Sequence, residues 1–185
     1  MRNNLGVKTY IYPEPVLIIA TYDEDNNVDV MNAAWGGICG EDTISICIDA
    51  SHKTTSNLKK NKALTVSMGI REYVKECDYV GIVSQNVHKD KMAKVNFTYT
   101  KSEFVNAPVI NELPLTLECQ VLSYDDETEI MIGKIINVSA DNTIMSDGHI
   151  DLDKFHPIVF DPCNHVYREL GDVVVKAFNE GLKLK

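Results

Sequence analysis

The chain has 185 residues, of which 44% are hydrophobic, and its formal net charge is −9. This length and apolar content suit a single domain, residues 1–185, with a sizeable core. The acidic balance argues against nucleic acid or an anionic membrane as partner, because such polyanions are bound mainly through clustered Lys and Arg.

Targeting signals and metal motifs are not found in the sequence. The N-terminus lacks the apolar core of a secretory signal, and no run of about 18 apolar residues predicts a membrane span. The five cysteines are scattered and form neither a C-x-x-C pair nor a Cys/His zinc spacing. We therefore expect reduced thiols, no metal site and a cytoplasmic protein.

The first half of the chain is rich in predicted strands. Residues 16–22 and 28–34 are β-rich runs on either side of a polar turn, which predicts a hairpin. Residues 43–49 alternate apolar and polar side chains, and residues 63–68 repeat that character. A short helix is expected between these two strands, beginning near residue 53.

The second half combines short helices with another hairpin. Residues 71–83 and 89–95 have roughly helical spacing, and residues 115–124 and 129–138 predict paired strands. Residues 151–159 are expected to be short and irregular. Residues 173–182 predict a C-terminal helix whose apolar stripe consists of Val173, Val174, Ala177 and Phe178. Numerous strands without regular βαβ alternation indicate a mainly antiparallel sheet closed as a barrel.

A phosphate-binding pattern stands where the first helix is predicted to begin. Lys53, Thr54 and Thr55 supply one cation and two hydroxyls beside the free N–H groups of a helix start, which together suit a phosphate. Taken alone, the two threonines are better explained as helix caps. Lys53 favours the phosphate, because a cap needs no cation. Lys59, Lys60 and Lys62 are interpreted as a solvated helix face.

A second stretch, at the end of the predicted hairpin, suits a flat ring. Trp35 either packs against such a ligand or belongs to the core, and Asn32 either bonds a polar ring edge or closes a turn. His156 and Phe160 are candidate contacts from the C-terminal part. FMN is the ligand that fits a phosphate group and a flat ring best.

The ordered set of motifs resembles the flavin reductase-like, FMN-binding split-barrel family, and within it the flavoredoxin branch. The resemblance runs from about residue 12 to about residue 171. It rests on Pro13-x-Pro15-Val16, Asn32-Ala33-Ala34-Trp35, His52-Lys53-Thr54-Thr55 with Asn57, Asn61-Lys62-Ala63, Asp90-Lys91-Met92, Ser102-Glu103, Asn106-Ala107-Pro108-Val109-Ile110 and Leu113-Pro114-x-x-Leu117-Glu118-Cys119.

The resemblance implies a mainly β, Greek-key split barrel with short peripheral helices, forming a homodimer with FMN bound noncovalently near the interface. Asn32, Ala33, Ala34 and Trp35 would pass along the flavin ring and ribityl chain. The phosphate would be held by Lys53, Thr54 and Thr55. Lys91 would contact the cofactor from a neighbouring segment, with Lys89 as an alternative because this chain has Ser84-Gln85 where the family often has Ser-Gly.

The implied activity is transfer of a hydride or of electrons through FMN, from NADH or NADPH or from a protein donor. No catalytic acid or base is needed for this, because the chemistry belongs to the cofactor. Two alternatives stay open at this point. One is an electron carrier for which reduced nicotinamide is not a donor, and the other is a ligand-binding or structural barrel without flavin.

Overall fold

The strands and helices of the computed structural model follow the predicted order closely up to the second hairpin. The structure describes residues 1–184. Its strands are β1 (Glu14–Pro15), β2 (Leu17–Tyr22), β3 (Val28–Ala33), β4 (Gly36–Ile38), β5 (Thr43–Cys47), β6 (Ala63–Met68), β7 (Tyr99–Lys101), β8 (Pro108–Ile110), β9 (Leu115–Tyr124), β10 (Ile130–Ala140), β11 (Met145–Ser146), β12 (His149–Ile150), β13 (Ile158–Asp161) and β14 (Val166–Glu169). Its α-helices are α1 (Lys53–Asn61) and α2 (Val74–Ile82), and short 3-10 turns cover Arg71–Tyr73, Lys91–Lys94, Asn142–Ile144 and Glu180–Leu184.

The main sheet must curl, because its two edge strands are joined by only two residues. The strand order is β3-β2-β6-β9-β10-β5-β4, and all neighbours are antiparallel. Seven flat strands would place β3 and β4 about 29 Å apart, whereas the link through Ala34 and Trp35 reaches roughly 11 Å. The edges therefore meet at this link, where the N–H of Cys47 donates to the carbonyl of Trp35 at 2.8 Å. This confirms the predicted barrel of mainly antiparallel strands.

Strand β2 separates two hydrophobic clusters, and this explains its continuous apolar sequence. All six of its residues are buried. Leu17 and Ile19 belong to the cluster inside the barrel, with Leu58 of α1, while Ile18 and Ala20 belong to a second cluster that includes Val80 of α2. Because successive side chains of a strand point to opposite faces, both faces need apolar residues here.

Helix α1 is held across one end of the barrel by two amide side chains, one buried and one partly buried. The amide of Asn57 donates to the hydroxyl of Thr21 at 3.1 Å, and that of Asn61 donates to the carbonyl of Tyr22 at 2.6 Å. Leu58 is fully buried beneath the helix. These contacts fix α1 against β2 and place its first turn beside β3.

The cationic face of α1 is solvated, as predicted. Lys59 forms an ion pair with Asp126, and Lys60 forms one with Glu24, with side chains that stay partly or largely exposed. Exposed pairs of this kind add little stability. These lysines therefore belong to the surface of the helix and not to a site at its first turn.

The predicted C-terminal helix over residues 173–182 is wrong. The structure has only the 3-10 turn Glu180–Leu184 there, and Val173, Val174 and Phe178 are each at least 90% exposed. A helix of about ten residues is marginal in water unless its apolar face packs against something. No part of residues 1–184 covers this face, and three consecutive β-branched valines further disfavour a helix.

Two other segments differ from the sequence prediction. Residues 151–159 lead into the hairpin of β13 and β14, which pairs with β1 to form a second, three-stranded sheet. Residues 89–95 contain a 3-10 turn and not an α-helix. The cysteines are all free thiols. Among residues 1–184, no helix has the length and apolar character needed to cross a membrane.

Candidate functional site

The first turn of α1 presents unpaired main-chain donors to a cavity of about 190 Å³. His52 is extended and its side chain does not cap the helix. Within residues 1–184, the N–H groups of Lys53, Thr54 and Thr55 have no acceptor. Free N–H groups at the positive end of a helix dipole favour an anion. The cavity is lined by Asp29, Met31, His52, Lys53, Thr54, Val80, Gly81, Ile82, Val83, Ser84, Gln85 and Lys91; we call it the phosphate cavity.

The hydroxyls of both threonines are already used inside the protein. Thr54 Oγ1 donates to Asp29 Oδ2 at 2.5 Å, and Thr55 Oγ1 donates to the carbonyl of Asp49 at 2.7 Å. Both threonines are buried. At this point of the site, the groups left to donate to a ligand are therefore main-chain N–H groups and not the hydroxyls that the sequence suggests.

Two lysines supply positive charge to the phosphate cavity. Lys53 lies at its rim, with Nζ 3.8 Å from Asp23 Oδ2. Lys91 is only 2% exposed, and within residues 1–184 its ammonium makes neither a hydrogen bond nor an ion pair. Burial lowers the pKa of Lys91, and the nearby Asp29 carboxylate partly opposes this. A largely buried lysine without a hydrogen-bonded partner is costly, so an anion in the cavity would be stabilised by it.

Asp29 is the single carboxylate in this lining, and it is 1% exposed. Burial raises its pKa, while the hydrogen bond from Thr54 and the charges of Lys91, Lys53 and His52 act in the opposite direction. Three basic side chains thus face one acid, in a protein whose overall charge is −9. The local excess of positive charge suits a small anion.

Gln85 is a polar lining residue that the sequence analysis did not identify as a site residue. Its Nε2 donates to the carbonyl of Val28 at 2.9 Å, which fixes the amide, while its Oε1 is buried without a donor. Gln85 and Lys53 also line a neighbouring cavity of about 440 Å³. One indication of Gln85 was present in the sequence: it follows Ser84 at a position where the family often has glycine. Asp29, also missed, was visible as an acid between Val28 and Val30.

The structure separates the other predicted site residues. Ala34 and Trp35 lie at the link between β3 and β4 and line a different cavity, and Trp35 is 58% exposed. Its position therefore excludes the alternative that Trp35 is a core residue. Asn32 donates from Nδ2 to the carbonyl of Cys77 at 3.0 Å, so its side chain joins β3 to α2. Ala33 is the last residue of β3 and packs against the barrel cluster.

The two C-terminal candidates do not line the phosphate cavity. His156 lines a third surface cavity, and its carbonyl accepts from the N–H of Arg71 at 3.1 Å. Phe160, on β13, packs its ring near those of His165 and Tyr167. The structure thus brings Lys53, Thr54 and Lys91 together in one lining, which does not include Thr55, while His156 and Phe160 lie elsewhere. Among residues 1–184, no cluster of side chains has a metal-binding arrangement.

Comparison with known proteins gives consistent results. The family model described as "Flavin reductase like domain" matches residues 9–159. Flavoredoxin of Desulfovibrio vulgaris (Miyazaki F) is 33% identical, with 98% of this chain and 100% of that chain covered and a TM-score of 0.93. Flavoredoxin from Methanosarcina acetivorans is 23% identical, with both chains fully covered and a TM-score of 0.88.

A third solved structure extends the likeness in fold. The FMN-binding domain of a flavin reductase-like enzyme from Shewanella baltica is 14% identical, with 88% of this chain and 89% of that chain covered and a TM-score of 0.80. At this identity the likeness concerns the fold alone. It confirms the predicted mainly β split barrel.

Proposed function

Because the chain belongs to the flavin reductase-like domain family, we propose that it binds FMN noncovalently, with the phosphate in the phosphate cavity, and passes electrons through it. The observation that carries this proposal is that the largely buried Lys91 side chain, whose ammonium makes no hydrogen bond or ion pair within residues 1–184, lines the same cavity as the first residues of α1, Lys53 and Thr54. Charge-assisted hydrogen bonds to a phosphate contribute about 1.5–3 kcal/mol each. Two or three of them are enough to anchor a cofactor.

The rest of the cofactor would follow β3 toward Trp35. From Asp29 to Ala34 a strand spans roughly 16 Å, a reach that suits a ribityl chain followed by a tricyclic ring. Met31, which lines the phosphate cavity, has its side chain on the same face of β3 as Asp29. Ala33 and Ala34 are small and leave room for a flat ring beside the main chain. Asn32 would act by holding β3 against α2, because its amide donates to that helix.

When bound, FMN supplies the ability to accept a hydride or single electrons and to pass them on. The protein's residues would anchor the phosphate, orient the ring at the link between β3 and β4, and leave one ring face open to a donor. Reduced nicotinamide is the donor in the leading hypothesis. A protein donor, with no response to nicotinamide, is the alternative that defines an electron carrier.

Two experiments test this proposal. The first compares the affinities of FMN and riboflavin by fluorescence titration, since riboflavin lacks only the phosphate; we expect FMN to bind at least about tenfold more tightly. Equal affinities would refute the phosphate cavity, and a colourless protein that takes up neither ligand would refute the flavin. The second mixes the FMN-loaded protein rapidly with NADH or NADPH. If the bound flavin is bleached no faster than free FMN, nicotinamide is not the donor and the electron-carrier hypothesis is favoured.

We also propose a homodimer. Exposed apolar side chains recur on strands β4, β10 and β9 of the main sheet, and they are Ile38, Ile136, Val138 and Leu122. A second copy of the chain would remove this surface from water. Light scattering during gel filtration tests the dimer. The free thiols are consistent with a reducing compartment, the cytoplasm, as its location.

A further inference from the structure

The N-terminal segment borders the position proposed for the flavin ring. A cavity of about 460 Å³ lies at the link between β3 and β4, and both residues 8–11 and residues 34–36 line it. The proposed function places the ring at this link, so the N-terminal segment forms another wall of the same site. We call residues 1–12 the N-terminal strap.

The strap has few attachments to the rest of the protein. All twelve of its residues are exposed. Within residues 1–184, its single main-chain hydrogen bond is internal, from the N–H of Ile11 to the carbonyl of Thr9 at 3.1 Å. Regular strand pairing begins only at Glu14, which lies opposite Phe160 on β13. A segment with so few contacts can open locally at little cost in free energy.

A tyrosine hydroxyl holds the strap against the end of β13. Tyr12 donates from its hydroxyl to Oδ1 of Asp161 at 2.7 Å. Asp161 is 3% exposed, and it also accepts from the side chains of Asn164 at 2.9 Å and Arg168 at 3.0 Å. The carboxylate therefore keeps these other donors when Tyr12 leaves, so opening of the strap leaves no buried charge without a partner.

The inner side of the strap suits a flat apolar ring. Tyr10 and Ile11 line the cavity together with Trp35, and all three are exposed in part. A ring packed among them would remove apolar surface from water, so a bound flavin favours the closed strap. Tyr10 also lies near Cys163. Because a thiol is a weak hydrogen-bonding group, Tyr12 is the stronger attachment of the strap.

We propose that the N-terminal strap is a movable cover of the flavin ring. The hydrogen bond from Tyr12 to Asp161 holds it closed, and it opens to let flavin or an electron donor reach the link between β3 and β4. This inference rests on the proposed flavin site and adds control of access to that site. Closure of such a segment shields a bound ring from water. Tyr12 is a positioning residue, because its hydroxyl contacts Asp161 and not the proposed flavin.

Stopped-flow binding of FMN and of riboflavin to the full-length, flavin-free protein tests this proposal. Trp35 is the only tryptophan and borders the proposed ring position, so its fluorescence reports the arrival of the ring. In Tyr12→Phe we expect the association and dissociation rate constants both to rise at least about threefold, because the strap is open for more of the time. FMN and riboflavin should show the same change, since the strap lies at the ring end of the site and not at the phosphate.

Tyr99→Phe is the matched control, because it removes a hydroxyl from another largely exposed tyrosine, on β7; its rate constants should equal those of the unmodified protein. Circular dichroism checks that both variants are folded. An unchanged association rate constant in Tyr12→Phe would overturn the proposal, since loss of a fixed wall would speed dissociation alone. A change for FMN without one for riboflavin would also overturn it. If the unmodified protein binds neither flavin, the proposed flavin site is itself refuted, and the cover with it.

Discussion

Thr54 in the first turn of α1 donates a 2.5 Å hydrogen bond from its hydroxyl to Oδ2 of Asp29 on β3. Both residues are almost fully buried. The bond joins the helix that presents free N–H groups to the strand along which the flavin is proposed to lie. It also gives a buried carboxyl its hydrogen-bond donor. We therefore expect this contact to contribute more to the stability of the fold than to ligand binding.

Replacing Thr54 with valine tests this division of roles. Thr54→Val keeps the shape but leaves Asp29 without its donor, and we expect the free energy of unfolding to fall by about 1–3 kcal/mol. Urea denaturation measures this loss. FMN affinity should change by less than about threefold, because the main-chain N–H of residue 54 is retained. Thr100→Val is the control, at an exposed hydroxyl on β7, and it should change stability by less than about 0.5 kcal/mol.

If Thr54→Val instead loses much of its FMN affinity while its stability is unchanged, the Thr54 hydroxyl binds the phosphate.

Removing the two lysines of the phosphate cavity should weaken FMN binding selectively. In Lys53→Ala with Lys91→Met, we expect FMN affinity to fall at least about tenfold, because two charge-assisted contacts to the phosphate are lost. Riboflavin affinity should stay unchanged, since riboflavin has no phosphate. Lys60→Ala, on the solvated face of α1, is the control and should bind FMN normally. Equal losses for FMN and riboflavin would place the phosphate elsewhere.

The buried carboxyl of Glu14 should make stability depend on pH. Burial raises the pKa of this carboxyl above its ordinary value of 4.5. At a pH just above 4.5 the folded state therefore binds more protons than the unfolded state. Stability must then fall as pH rises through the window between the ordinary and the raised pKa, and the penalty is complete above it. Glu14→Gln removes the penalty, and we expect it to be more stable at pH 7 by about 1 kcal/mol.

Urea denaturation at several pH values measures this difference for Glu14→Gln. The difference from the unmodified protein should shrink as pH approaches 4.5, because the carboxyl is then protonated in both states. Glu127→Gln should show no such trend, since that side chain is exposed. If Glu14→Gln were more stable by the same amount at every pH, the pH dependence could not come from the buried carboxyl of Glu14.

Two neighbouring glycines at the link between β3 and β4 should respond differently to alanine. A Cβ on Gly36 would lie 2.8 Å from Leu17 Cδ1 and 3.0 Å from the carbonyl oxygen of Ser45, whereas a Cβ on Gly37 would meet nothing within 4 Å. We expect Gly36→Ala to lower the free energy of unfolding by about 1–3 kcal/mol. Gly37→Ala should stay within about 0.5 kcal/mol. Thermal unfolding followed by Trp35 fluorescence measures both, and equal effects would contradict the close approach at Gly36.

The sequence was most informative where local pattern and tertiary packing agree. The turn cluster between residues 22 and 28 and the alternation of residues 43–49 predicted strands that the structure contains. The resemblance to the flavin reductase-like family, with its flavoredoxin branch, is confirmed. The C-terminal segment failed for the opposite reason: its apolar spacing is helical, but no partner surface covers Val173 or Phe178.

At the candidate site, the sequence by itself determined which chemical groups are available. A cation and a helix start beside Thr54 and Thr55 can be read from short-range order alone, because the free N–H groups of a helix lie within its first turn. Only the tertiary structure decided how these groups are used. It turned the Thr54 hydroxyl toward Asp29, buried Lys91 without a partner, and left Trp35 at the surface where the sheet edges meet. Burial and pairing depend on residues far apart in the chain, and a sequence pattern does not record those distances.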